Sequence, residues 1–243
     1  MIEDNTICDI HCHMLPDVDD GAQSFEESVR MLDEAAAQHV SSIILTPHHR
    51  PEYFPYSKQK IDMAYEKLAA VAAEKNIRLY KGCECHVDGD MLDNVRCGFC
   101  DTLAGSDYIL SEFSGAAEFD YIRDNCYRIL SAGYVPVIAH AERVISFRHK
   151  PKRLNELKEM GVLIQINADA VLGIDGHEMA AFTKMLIKKG IADVIAGDSH
   201  NLTDRPLHMQ ECYEFTSAKF GAGTARQLMY ENPMMIIKNE YLQ

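Results

Sequence analysis

Short apolar runs recur near residues 6–13, 42–47, 78–85, 107–112, 134–140, 162–167 and 192–198, with helix-like or irregular segments between them. Seven buried strands alternating with helices predict a parallel sheet, because each return to the same strand direction needs a crossover. The first crossover helix is marked by Ser24 and Glu27, a capping box, followed by Val29, Leu32 and Ala36 at helical spacing. Further helices are expected over 57–75, 117–131, 151–160, 176–189 and 206–231, with Gly133, Gly161 and Gly190 where C-caps belong. The expected class is therefore α/β. A chain of 243 residues with no linker, repeat or composition shift predicts one domain over 1–243. If the strands close into a barrel, their C-terminal ends open on one face, where barrel enzymes carry their chemistry.

The ends of these runs carry ligand-type side chains. Asp9-Ile10-His11-Cys12-His13 sets two imidazoles two positions apart, and in an extended strand Asp9, His11 and His13 would share one face while Cys8, Ile10 and Cys12 take the other. His48, Glu84, Glu112 and His140 each follow an apolar run, as do Asp198 and His200, and Asp20 lies in the loop after the first strand. Taken singly, such a residue is more often a cap or a loop hydrogen-bonder than a ligand. Their recurrence at strand ends argues otherwise. Nine candidate ligands exceed the four to six that one ion uses, so two or three metals are expected. Imidazole and carboxylate donors without thiolate suit Mn²⁺ first, with Fe²⁺ or Zn²⁺ as alternatives. Asp9 is a candidate outer carboxylate that fixes an imidazole tautomer.

Arg143 and Arg205 each follow a ligand by a few residues. They are read either as a bidentate clamp on a phosphoryl group or as surface ion pairs. Charge favours the clamp: four ligand carboxylates against three divalent ions leave about +2, and two arginines add to it. The formal net charge of −13, with no clustered Lys/Arg stripe, argues against a nucleic-acid binder and disfavours a metal-dependent nuclease; three divalent ions would bring it to −7, so attraction for a phosphorylated substrate must be local.

Eight scattered cysteines, an N-terminus without basic or apolar signal regions, and no run near the roughly 20 apolar residues of a membrane span predict a reduced, cytoplasmic protein that does not insert into the bilayer. Cys83-Glu84-Cys85 with Cys97-Gly98-Phe99-Cys100 has the outline of a four-thiol zinc knuckle, the minor reading; Cys83 and Cys85 are expected to face away from the metal cluster. None of the cysteines has an arginine six positions later, which disfavours a cysteine-nucleophile phosphatase. His49 to Tyr56 form an aromatic, proline-containing loop, either a rim for a ring or peptide or an ordinary surface loop. His86 is a possible extra site residue, and His39, His149, His177 and His208 are expected to be solvated.

Four segments carry a resemblance: Asp-Ile-His-Cys-His-x-Leu-Pro-x-Val-Asp-Asp-Gly-Ala at 9–22, Thr-Pro-His-His at 46–49, Ala-His-x-Glu-Arg at 139–143 and Gly-Asp-Ser-His-Asn at 197–201. They resemble the PHP (polymerase and histidinol phosphatase) superfamily and, more narrowly, the bacterial manganese-dependent protein-tyrosine phosphatases of capsule and exopolysaccharide operons. The resemblance implies a distorted, TIM-like (β/α)₇ barrel with a trinuclear metal site. It further implies that the substrate is the phosphotyrosine tail of a membrane-associated tyrosine kinase. Position by position it assigns His11, His13, Asp20, His48, Glu84, Glu112, His140, Asp198 and His200 to metal, and Arg143 and Arg205 to phosphate. The chain departs from the pattern at Asp17, where glycine is common, Ala141, where proline is usual, and Val144, where an aromatic is frequent, which leaves substrate preference open. The rivals are a histidinol-phosphate phosphatase and a non-catalytic phosphotyrosine-binding scaffold. Oligomeric state is not legible in the sequence.

Overall fold

A computed structural model describes residues 6–50, 52–54 and 56–242. In chain order its strands are β1 (Ile7–Cys12), β2 (Val40–Leu45), β3 (His48–His49), β4 (Arg78–Lys81), β5 (Glu84–His86), β6 (Tyr108–Glu112), β7 (Val135–Ile138), β8 (Leu163–Asn167) and β9 (Val194–Ala196). All pairings are parallel, in two sheets ordered β1-β2-β4 and β3-β5-β6-β7-β8-β9. β2 and β3 are parts of one run interrupted at Thr46 and Pro47, and β4 and β5 are parts of another interrupted at Gly82 and Cys83. Proline cannot donate to a ladder, which accounts for the first break. The nine pieces thus occupy the seven strand positions expected from the apolar runs.

The curled sheet returns on itself between its last and first strands. His13 N–H donates to the Ser199 carbonyl at 2.9 Å, and Asp198 N–H donates to the His11 carbonyl at 2.7 Å. The outcome is the distorted barrel that the resemblance implied. Its interior holds Cys8, Ile10, Ile44, Tyr108, Leu110, Val137, Ala139, Val194 and Ala196. The alternate residues Ile7, Ile43, Ile109, Ile138 and Ile195 face the helices in the larger core. Period-two alternation with both faces buried is what a helix-covered parallel sheet requires.

One strand breaks that period. Asp9 pairs with Ile43 and Cys12 with Leu45, so β1 carries one residue more than β2 between these points. The bulge turns Cys12 to the outer core with Ile7, while Cys8 and Ile10 remain inside. Of the expected single face of Asp9, His11 and His13, the two imidazoles still converge, their Nε2 atoms 3.2 Å apart, while the Asp9 carboxylate turns to backbone amides.

Helix α1 (Phe25–Ala37) begins where Ser24 predicts, its side chain accepting the Glu27 N–H. Glu27 reaches back to the Gln23 N–H at 2.9 Å instead of closing the box on Ser24. α2 (Lys58–Glu74), α3 (Met91–Arg96), α4 (Phe119–Ser131), α5 (Ile145–His149), α6 (Lys152–Glu159), α7 (Ala168–Leu172) and α8 (His177–Lys188) follow. Of these α3, α5 and α7 are short turns without a full apolar period. The single helix expected over 206–231 is instead α9 (Met209–Phe220), α10 (Ala222–Arg226), a π-type turn at Gln227–Glu231 and α11 (Asn232–Ile237). The break is at Gly221, with φ 101° and ψ 145°. That backbone region is essentially confined to glycine. A Cβ there would meet nothing within 4 Å, so the constraint is purely one of backbone strain. Gly221→Ala is therefore expected to destabilise the fold by about 1–3 kcal/mol in denaturant titration. Among the described residues, no helix is long and apolar enough to cross a membrane.

Candidate metal centre

Each candidate ligand stands at the C-terminal end of a strand or in the loop that follows. His11 Nε2 and His13 Nε2 are 3.2 Å apart at the end of β1. Glu84 Oε2, from β5, lies 3.2 Å from His11 Nε2, 3.3 Å from His13 Nε2 and 2.9 Å from His48 Nδ1. Its other oxygen meets His140 Nε2 at 2.7 Å. Asp198 Oδ1 lies 3.4 and 3.5 Å from the same two Nε2 atoms of β1, and 3.7 Å from His200 Nδ1. Asp20 Oδ1 lies 3.3 Å from His48 Nε2 and 3.4 Å from His200 Nε2. Glu112 groups with His48 and Glu84, and its Oε2 pairs with His86 Nδ1 at 3.0 Å. The fold thus gathers all nine into one bowl. His140 and Asp198 hold left-handed backbone, φ 33° and 52°, which is uncommon for a non-glycine residue.

The donor atoms of all but His140 fall into three overlapping sets, each within 4.8 Å: His13, Asp20, His48 and His200; His11, His13, Glu84 and Asp198; and His48, Glu84 and Glu112. Glu84 Oε2, Asp198 Oδ1 and His200 Nε2 are buried without a hydrogen bond. Buried polar atoms without partners are costly, and ones that converge on each other fit divalent cations. The carboxylates are poised for this. Burial opposes ionisation of Glu84, but His11 and His48 beside it hold its carboxyl well below the usual range. Asp198 is likewise held down against its burial by His11, His13, Arg143 and Arg205. His48, despite burial, is raised to about 9 by the Glu84 charge, so without metal it carries a proton at neutral pH that a bound cation would displace.

The outer layer departs from expectation. Asp9 is fully buried but reaches no imidazole ring: its Oδ1 accepts the backbone N–H of His11 at 3.1 Å and of Gly197 at 2.9 Å. A Cβ on Gly197 would lie 2.5 Å from Asp9 Oδ2, so only glycine allows this tie between β1 and β9. The ring of His11 is oriented by Gln165, whose Oε1 is 3.1 Å from Nδ1. Asn167 Nδ2 donates to Asp198 Oδ2 at 2.8 Å. Both lie on β8, which alone of the seven strand positions supplies no candidate ligand; two amides in the otherwise apolar Leu163–Asn167 were the signal. Asp19 orients His13 through Nδ1 at 2.8 Å and also accepts the His48 N–H at 3.0 Å. Sequence reasoning passed over Asp19, although it adjoins Asp20. Asp19→Asn is expected to weaken metal affinity about 10–100-fold, the usual cost of losing an outer-layer carboxylate, read by metal titration calorimetry.

Arg143 and Arg205 converge on the same atom, Asp198 Oδ2, at 3.0 and 2.8 Å, each about one-third exposed. The two readings of these arginines therefore meet: they form ion pairs, but at the mouth of the bowl. Phe54 stacks on His48 with ring centroids 5.1 Å apart, and Arg50 covers the exposed Tyr53 ring at 4.2 Å, so this loop does border the site. Pro51 and Pro55 of that loop lie outside the described residues. His49, expected on the rim, is buried beneath it. His39, His149 and His177 are exposed, whereas His208 is half-buried and bonded to Asp169 at 2.8 Å. Of the zinc-knuckle cysteines, Cys83, Cys85 and Cys100 are buried together and Cys97 is exposed. Asp17 has φ 57°, the conformation glycine takes without strain, and is tethered by Lys60. Ala141 and Val144 are fully buried.

The sequence profile of the family described as capsular polysaccharide synthesis, CpsB/CapC, matches residues 7–238. Tyrosine-protein phosphatase CpsB of Streptococcus pneumoniae is 34% identical over 241 residues, covering 96% of this chain and 99% of that protein. Tyrosine-protein phosphatase YwqE of Bacillus subtilis is 31% identical over 234 residues, covering 96% and 92%. A crystal structure from work on YwqE of B. subtilis and CpsB of S. pneumoniae, metal-dependent tyrosine phosphatases, superposes with a TM-score of 0.90 at 29% identity, covering 98% of this chain and 96% of that one. An organophosphorus hydrolase variant from Deinococcus radiodurans shares the fold alone, with a TM-score of 0.63 at 11% identity.

Proposed function

Because the chain belongs to the capsular polysaccharide synthesis CpsB/CapC family, we propose that it is a metal-dependent protein-tyrosine phosphatase acting as a single domain over 1–243. Its substrate on this reading is the phosphotyrosine tail of a membrane-associated tyrosine kinase that governs capsular or exopolysaccharide synthesis, met in the cytoplasm. The observation that carries the reading is the crowding of His11, His13 and His48 around one Glu84 oxygen, beside an Asp198 shared by two arginines.

His11, His13, Asp20, His48, Glu84, Glu112, His140, Asp198 and His200 would hold three divalent ions, Mn²⁺ before Fe²⁺ or Zn²⁺. When bound, such ions would neutralise phosphoryl charge and lower the pKa of water to about 7. The protein's own groups do the rest. Gln165 and Asp19 keep the rings of His11 and His13 turned toward the bowl. Arg143 and Arg205, sited at its mouth, suit the equatorial oxygens of a phosphoryl group, which a planar guanidinium grips bidentately. Phe54 and Tyr53 offer aromatic surface to the tyrosine ring. A tyrosine phenolate, with a pKa of about 10, leaves without a dedicated acid.

The rival substrate is a small alkyl phosphate such as histidinol phosphate. The half-exposed Asp20 and one-third-exposed arginines favour an open mouth that admits a peptide. With Mn²⁺, the purified protein is expected to hydrolyse phosphotyrosine peptides at least about tenfold faster, in kcat/KM, than histidinol phosphate. The reverse preference supports the rival, and stoichiometric peptide binding without turnover supports a scaffold.

A further inference from the structure

Behind the candidate metal centre lies a second set of metal-type donors. Cys83, Cys85 and Cys100 bring their sulfurs within 4.8 Å of one another, and all three are buried. Cys85 follows Glu84 on β5 and Cys83 precedes it at the strand break, and both are buried in the larger core that faces the helices, away from the bowl that Glu84 enters. His49, the neighbour of His48 on β3 and the register partner of Cys85, adjoins this set from outside its 4.8 Å compass and interacts with the Cys100 thiol. It is 1% exposed, and neither ring nitrogen makes a hydrogen bond of ordinary geometry. Tyr56 and Phe99 close over it edge-on, with ring centroids 4.8 and 5.7 Å from that of His49. Beyond one another, Cys83 donates to the Pro47 carbonyl at 3.4 Å and Cys85 to the Cys83 carbonyl at 3.8 Å, both weak bonds.

We propose that Cys83, Cys85, Cys100 and His49 form a structural zinc site of the Cys₃His type, distinct from the imidazole–carboxylate centre. Three thiols and an imidazole are a donor set that closes a tetrahedral ion completely, and Zn–S bonds of about 2.3 Å put the sulfurs roughly 3.8 Å apart, a contraction of about 1 Å at most. Each thiol gives its proton to solvent as its Zn–S bond forms, leaving a complex of charge −1 with neutral His49. A disulfide explains the cluster less well, since it would use two sulfurs and leave the third, with His49, buried and unpartnered. The site ties Cys100, in the segment after α3, to β3 and β5. It thereby braces from behind the two short strands that carry His48 and Glu84. The exposed Cys97, which spacing alone would have recruited, is not part of it.

Cobalt substitution separates this site from the other, because only thiolate gives a sulfur-to-Co²⁺ charge-transfer band in the near ultraviolet, and the nine-residue centre has no sulfur. The full chain, kept reduced with a non-thiol reductant and loaded with Co²⁺, is expected to show that band with the intense visible absorption of a tetrahedral ion. The band should be bleached by one equivalent of Zn²⁺, retained in Cys97→Ser and lost in Cys100→Ser. Absence of the band in wild-type protein whose eight thiols all titrate as free overturns the proposal, and so does its full retention in Cys100→Ser. The wild-type spectrum decides the question even if Cys100→Ser fails to fold. The readout involves no phosphatase activity, so its outcome is independent of the proposed function.

Discussion

Glu84→Gln is expected to lower kcat/KM for phosphotyrosine peptides by about a thousandfold or more, beyond the 10–100-fold typical of outer-layer partners. Glu84 has no side-chain exposure and meets four imidazoles, those of His11, His13, His48 and His140. Glutamine keeps the shape but removes the charge, so the cations lose a ligand common to two of the three donor sets. The same substitution removes the group that holds His48 near 9, so its ring becomes easier to deprotonate in the metal-free protein. Stripping the wild-type protein with a chelator should reproduce the loss, and Mn²⁺ should reverse it in the wild type but not in Glu84→Gln. Activity and elemental analysis measured on the same samples check both parts. Undiminished hydrolysis by the stripped protein would rule out metal-assisted chemistry.

The second large effect is expected at the arginines. Removing one preorganised donor to a developing phosphoryl charge costs about 100–1,000-fold in kcat, so Arg205→Ala and Arg143→Ala should each fall in this range. Arg205→Lys should recover only part of it, because an ammonium is a point charge without the bidentate fork. Metal content should stay at the wild-type level, since both guanidinium groups meet Asp198 through Oδ2 while the imidazoles surround Oδ1. Steady-state kinetics beside metal analysis separates this from the Glu84 outcome. Equal loss of metal in both variants would mean that the arginines merely hold Asp198 in place.

Much of the site was legible because it sits where two independent patterns coincide. Apolar runs mark strands, and the residue after each run marks the open end of a barrel; His48, Glu84, Glu112 and His140 could be named on that basis alone. The orienting groups were not legible in the same way. Asp9 has the right residue type at the right spacing, yet the β1 bulge sends its carboxylate to two backbone amides. Its expected task falls to Gln165, 154 residues away along the chain, and to Asp19 in a loop. His49 likewise left the rim for a thiol pocket, because adjacent residues on a strand point to opposite faces.

What the sequence determined by itself is the parallel α/β class, the number of strand positions and the chemical character of the candidate ligands, since these follow from local periodicity and side-chain type. Tertiary structure alone decided which imidazole each carboxylate meets, that the two arginines share one Asp198 oxygen, and that Cys100 rather than Cys97 joins Cys83 and Cys85. The physical reason is range. Periodicity reports which face a residue takes over a few positions, whereas a bulge in β1, a strand break at Pro47 and the closure of β9 on β1 reset those faces through contacts remote in the chain.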